Sequence, residues 1–253
     1  MNALELLQDK ISRASELLRN ARHAVALTGA GISTPSGIPD FRSADTGLWT
    51  KNDPMQVASL SAFLYHPERF FNWLRPLLDT ITQARPNPAH FALAELEKKG
   101  ILKALITQNI DDLHQQAGSK NVLPVHGTLE DMICLSCDQR FPSKQFIETV
   151  KDGKLPLCPN CGRILKPDIV LFEEMLPSDV WSKAEWHCNR ADVILVAGSS
   201  LEVMPAGALP WYAVQNGAHL IINNYSSTPL DSEADVLLSG DVAQILPQIT
   251  AQC

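Results

Sequence analysis

Apolar residues follow two alternating rhythms along this chain. Leu4, Leu7, Ile11, Ala14 and Leu18 recur at three- and four-residue intervals with charges between them, which predicts an amphipathic helix. Ala24-Val25-Ala26-Leu27-Thr28 is then a mostly apolar run that stops at Gly29-Ala30-Gly31, the order of a buried parallel strand feeding a glycine turn. Further strand-sized runs lie at Lys103 to Thr107, Asp192 to Ala197, His219 to Asn223 and Asp235 to Leu238. Helical spacings lie between them, as from Ala89 to Lys99 and from Pro205 to Gln215. Strands alternating with helices predict an α/β fold, a Rossmann-like parallel sheet with helices on both faces.

Two stretches break the alternation. From about Gly47 to Pro88, Phe63, Phe70, Phe71 and Trp73 stand at helical spacings between prolines, predicting a small helical insert whose aromatics form a core. The second break holds Cys134/Cys137 and Cys158/Cys161. Each Cys-x-x-Cys presents two thiolates to one metal ion, and the second pair closes a tetrahedral set, predicting structural zinc with no open position for catalysis. Disulfides would need an oxidising compartment, and thioredoxin-like chemistry only one pair. Cys188 is expected as a small buried hydrophobe and Cys253 in a frayed tail. The expected division is a Rossmann-like part at 1–46, 89–127 and 167–253, with a helical insert at 47–88 and a zinc-ribbon insert at 128–166 forming a smaller domain.

Charge narrows the partners. Across 253 residues, 28 acidic against 21 basic side chains give a formal charge of −7, which disfavours sequence-independent nucleic-acid binding. No apolar run reaches bilayer length. The opening MNALELLQDK has neither a basic nor an apolar signal region, predicting a cytoplasmic protein.

The polar chemistry gathers at predicted strand ends, where open α/β sheets bind ligands. Gly29-Ala30-Gly31-Ile32-Ser33 begins a dinucleotide fingerprint, but Thr34 replaces its third glycine and Pro35 to Pro39 rule out a regular helix there. Thr107-Gln108-Asn109-Ile110-Asp111 follows the second strand, where Asn109 and Asp111 suit either a ligand or a helix cap. His126, on a turn before the cysteines, is a candidate base. Gly198-Ser199-Ser200-Leu201 and Asn223-Asn224-Tyr225 repeat the pattern of small and polar strand ends.

Taken in order, Gly29 through Arg42 (GAGISTPSGIPDFR), Thr107 through His114 (TQNIDDLH), His126-Gly127, the cysteine pairs, Gly198 through Leu201, and Asn224 with Thr228-Pro229-Leu230-Asp231 resemble the sirtuins, NAD-dependent protein-lysine deacylases, along essentially the whole chain. The resemblance implies a Rossmann domain and a smaller zinc and helical module, with NAD and acyl-lysine protein or peptide meeting between them. It assigns Ala30, Gly31 and Thr34 to the pyrophosphate, and Phe41 and Arg42 to a loop over the nicotinamide ribose. Gln108, Asn109, Ile110 and Asp111 would line the nicotinamide pocket, with Asn109 and Asp111 also counted catalytic. Ser199, Ser200, Asn224, Tyr225, Asp241 and Val242 would hold the adenosine half, and Val170, Phe172, Glu174, Leu201 and Val203 the substrate. His126 would be the general base, activating a ribose hydroxyl after the acyl oxygen has displaced nicotinamide; the products would be nicotinamide, free lysine and O-acyl-ADP-ribose.

Two departures stand out. Phe172-Glu173-Glu174 replaces the family's Phe-Gly-Glu, putting the fit of the peptide-pairing segment in question. Ser199 replaces a more common threonine. Leu74 and Leu77 fall near the positions where acidic-acyl-selective relatives carry tyrosine and arginine, so an acetyl or other uncharged acyl group is expected. The same cofactor pocket would also suit mono-ADP-ribosyl transfer, or a silent NAD- or acyl-lysine-binding module.

Overall fold

Runs of Val, Ile, Leu and Ala too apolar to face water on either side make the centre of the fold. The computed structural model describes residues 3–40, 47–50 and 52–253. Its strands are β1 (Ala24–Thr28), β2 (Leu102–Thr107), β3 (Val122–Pro124), β4 (Gly127–Ile133), β5 (Arg140–Pro142), β6 (Lys166–Ile169), β7 (Val193–Ala197), β8 (His219–Asn224) and β9 (Val236–Ser239). Six of them form one sheet in the order β3-β2-β1-β7-β8-β9, and every pair in it is parallel. Thr28 lies opposite Thr107 and Ala197, and Ala197 opposite Asn223. The carboxyl ends of the four central strands therefore finish in one row, and their loops emerge side by side.

The helices are α1 (Ala3–Asn20), α2 (Pro54–Val57), α3 (Leu60–Tyr65), α4 (Pro67–Gln83), α5 (Pro88–Lys98), α6 (Leu113–Gln116), α7 (Ile147–Lys151), α8 (Ser178–Cys188), α9 (Leu209–Gln215) and α10 (Val242–Ala251). On one face of the sheet α1, α5 and α10 bury Leu18, Leu93 and Leu246 against Ala26 and Leu195; on the other, α8 and α9 bury Cys188 and Leu209 against Leu27 and Val196. Each such Leu is worth about 1.5–3 kcal/mol by transfer from water. Leu4, expected on the apolar face of α1, is exposed, and Leu7 is only partly covered; the first turn overhangs the core. The end of the chain is docked, with Cys253 packed on the α1 face and its Sγ near the Ser15 carbonyl.

Strands β7 and β9 start one residue later than the periodicity for a chemical reason. Asp192 is spent outside β7, accepting from the amides of Arg22 and His23, and Asp235 outside β9 accepts from Leu220. Helix α9 begins at Leu209 after a 3-10 turn at Ala206–Ala208, later than the expected Pro205.

A second, antiparallel sheet has the order β5-β4-β6. It extends past both expected limits of the cysteine insert, starting at Gly127 and ending at Ile169. Gly127 has φ 77° and faces Ile169, and a Cβ there would overlap the Asp168 carbonyl, so only glycine lets β4 leave the parallel sheet this tightly. Phe63, Phe70 and Phe71 of the helical insert are buried in edge-to-face contact, as expected, and share one core with Met132, Cys134, Cys158 and Leu165. No helix among the described residues is long and apolar enough to cross a membrane.

Gly198 directly follows β7 at φ 62°, and a Cβ there would overlap Ile32 and Gly31. Left-handed strain and overpacking together make Gly198→Ala about 2–4 kcal/mol less stable. Urea denaturation measures this; a variant within about 0.5 kcal/mol of the parent would contradict so close a backbone approach.

Candidate active site

The loops after β1 and β7 meet backbone to backbone. Gly31 N donates to the Gly198 carbonyl at 2.9 Å and Gly29 N to Ala197 at 3.4 Å, and a Cβ on Gly31 would stand 2.9 Å from the Gly198 oxygen. Two 3-10 turns, Ala30–Ile32 and Thr34–Ser36, follow in place of a helix, as the prolines require. Asn87, the N-cap of α5, holds this loop from behind by donating to the Ile32 carbonyl and Ser36 Oγ.

Beside this loop lies a buried polar chain. Asn109 Nδ2 donates to the Gly29 carbonyl and to Ser33 Oγ, both at 3.1 Å. Ser33 Oγ donates to Asp111 Oδ2 at 2.6 Å, and Asp111 Oδ1 accepts the Leu113 amide at 3.0 Å. Asp111 thus serves a local turn and the cluster at once. Burial pushes its carboxyl up, with the Ser33, Leu113 and Asn109 bonds opposing. Underneath, Thr28 Oγ1 joins Thr107 Oγ1 at 2.9 Å and His114 Nε2 at 3.0 Å. Burial drives His114 well below its usual range, leaving it a neutral spacer.

His126 joins this floor to the second sheet. Its Nδ1 is 3.0 Å from the Gln108 carbonyl, and a carbonyl only accepts, so Nδ1 carries the proton and Nε2 keeps its lone pair. Burial lowers the imidazole pKa more than the Gln108 bond raises it. The ring is neutral at pH 7 with a bare nitrogen.

Ala30, Ser33, Gln108 to Asp111 and His126 line a cavity of about 490 Å³. Its other walls come from Trp73, Leu77 and Ile81 of α4, from 169–176, and from Val203 to Pro205. The lining is mainly apolar, and no lysine or arginine is among the described lining residues. Arg75 of α4 turns away, its Nε donating to the Val150 carbonyl.

The four cysteines converge nearby. Their sulfurs all lie within 4.8 Å of one another, with Cys134–Cys161 at 3.4 Å and Cys137–Cys158 at 3.7 Å. Each pair forms the same knuckle: the amide of the residue after the second cysteine, Asp138 or Gly162, returns to the carbonyl of the first, and both are left-handed.

Residues 29–205 match the family model described as Sir2 family. The chain belongs to the Sir2 family. It is 44% identical over 247 residues to NAD-dependent protein deacylase 2 of Archaeoglobus fulgidus, covering 97% of each chain. It is 41% identical over 240 residues to NAD-dependent protein deacetylase of Thermotoga maritima, covering 95% of this chain and 97% of the relative. A solved Sir2 variant with a deacetylated peptide and 3'-O-acetyl-ADP-ribose superposes with a TM-score of 0.91 at 40% identity, over 96% of this chain and 98% of that one.

In this Sir2 chain Val170, Phe172, Glu174 and Val203 also line the cavity, while the remaining expected residues that the structure describes stand apart from it. Gly31 and Thr34 lie in the neighbouring glycine loop, Thr34 Oγ1 donating to the Gly31 carbonyl. Ser199 is buried and accepts from Gln108 Nε2 at 2.9 Å, with Ser200 beside it. Asn224 Nδ2 is held by Ser226, and Tyr225 is exposed. Asp241 caps α10 through Ala243 N, and Val242 and Leu201 are core residues. Phe41 and Arg42 lie outside the described residues. Sequence reasoning passed over Ser33, Trp73 and Ile81; a hydroxyl directly after the glycine loop was the signal for Ser33, whereas the α4 residues carry core-like periodicity and gave none.

The sulfur separations fit a structural zinc ion, for which Zn–S bonds of about 2.3 Å give tetrahedral edges of about 3.8 Å. Removing zinc with a chelator should release one ion per chain and unfold β4–β6, read by metal analysis and amide exchange. An unchanged melting temperature after complete removal would contradict this.

Proposed function

We propose that this chain is an NAD-dependent protein-lysine deacylase with His126 as general base. The carrying observation is the tautomer of a cavity-lining histidine, with Nδ1–H fixed by the Gln108 carbonyl and Nε2 left bare. NAD, when bound, supplies a ribose carbon that accepts the acyl oxygen as nicotinamide leaves. Ala30, Gly31 and Thr34, with Phe41 and Arg42, take its pyrophosphate and nicotinamide-ribose side. Gln108, Asn109, Ile110 and Asp111 orient the nicotinamide end. Ser199, Ser200, Asn224, Tyr225, Asp241 and Val242 take the adenosine half along the row of strand ends. Val170, Phe172, Glu174 and Val203 receive the acyl-lysine segment as an added strand, with Leu201, expected there from the sequence, packed in the core. The apolar walls limit competing hydrolysis by water. A cytoplasmic location agrees with thiolates kept available for metal.

The test is mass analysis after incubation with NAD and acetyl-lysine peptide. Loss of the acetyl mass with nicotinamide release is expected; mass gain on a protein would indicate ADP-ribosyl transfer instead. His126→Ala should slow deacylation at least about a hundredfold, and wild-type rates would refute the base. Because burial lowers the pKa of His126, the neutral imidazole predominates at pH 7 and the acid limb of activity should lie below the ordinary histidine value of about 6.5. An acid limb above pH 7 would contradict this. With no lysine or arginine among the described lining residues, acetyl should leave at least about tenfold faster than succinyl from matched peptides; the reverse order would overturn the acyl assignment.

A further inference from the structure

Glu173 occupies a left-handed backbone position, φ 75°, that glycine adopts freely and a residue with a Cβ adopts at a cost. Its side chain is engaged. One carboxylate oxygen accepts from the Ser61 amide at 2.8 Å and from Ser61 Oγ at 2.7 Å, and these bonds hold the carboxyl below its usual range. Ser61 lies in the first turn of α3, whose leading amides have no partner inside the helix. Leu60 N goes to the Phe172 carbonyl, Ser61 N to Glu173, and Ala62 N to Ser59 Oγ. Two of these three amides are thus satisfied by the cavity-lining segment. Phe172 N returns the contact to the Ala58 carbonyl at 3.0 Å.

The next residue grips the opposite side. Glu174 Oε2 accepts from the Leu171 amide at 2.8 Å and pairs with buried Lys166 of β6 at 2.9 Å, and Val170 N donates to the His126 carbonyl. Consecutive carboxylates therefore fasten one segment to the helical insert and to the second sheet. A glycine at 173 would leave only the second of these side-chain anchors.

We propose that Glu173 is a positioning residue that sets the Val170–Phe172 edge against α3, so that the acyl-lysine peptide meets an edge ordered in advance. This rests on the reading of that segment as the substrate edge. Glu173→Gly removes the carboxylate and the strain together, so global stability is preserved while the anchor is lost. The peptide KM should rise about fivefold, the usual scale for losing a helix cap, with kcat and the KM for NAD unchanged. Glu173→Gln, which keeps an acceptor oxygen, should restore most of the difference. In amide exchange of the free protein, residues 60–62 should exchange faster in Glu173→Gly than in the parent or Glu173→Gln. A peptide KM within about 1.5-fold of the parent, a loss falling on kcat or NAD instead, or unchanged exchange at Ser61 would each overturn the proposal. A parent chain without deacylase activity would sink the functional reading, and the exchange experiment would still decide whether Glu173 holds α3.

Discussion

The contact between His126 and the Gln108 carbonyl is the joint on which the site depends. Gln108 leaves the end of β2 in the parallel sheet, and His126 stands between β3 and β4, where the chain passes into the second sheet. The imidazole donates back to Gln108 while the His126 carbonyl accepts from Val170 in the opposite wall. One residue thus connects the sheets, fixes its own tautomer and faces the cavity. An imidazole held this way needs no reorganisation to present its lone pair.

The surroundings follow from parallel pairing. In-register strands end together, so Gly29, Gln108 and Gly198 start their loops side by side, and close glycine contacts keep those loops flat against one another. Polar groups buried there must pair among themselves, which produces the Asn109–Ser33–Asp111 chain. The apolar wall is supplied by elements that share a core with the cysteine knuckles. The cysteine cluster is thereby continuous with that wall through a shared core.

The central strands, the glycine loop, the polar strand ends and the paired cysteines were all legible in the sequence because each depends on local pattern or spacing. Less legible was whatever long-range contact decides. Strand β3 is three residues long and exists by pairing with β2. Helix α8 lay between stronger signals, and β6 runs past the expected boundary because Gly127 brings β4 against it. Trp73 and Ile81 have core periodicity, yet they line the cavity from the helical insert. Glu173 is the instructive case: as a departure from the family's glycine it put the fit of the peptide-pairing segment in question, whereas its partner, Ser61, lies 112 positions away in sequence and could be identified only in three dimensions.

The most direct test of the account is nitrogen-resolved NMR of the His126 ring in the ligand-free protein. The account predicts a neutral imidazole at pH 7 with its proton on Nδ1 and none on Nε2. A proton on Nε2 instead, or an imidazolium at that pH, would contradict it.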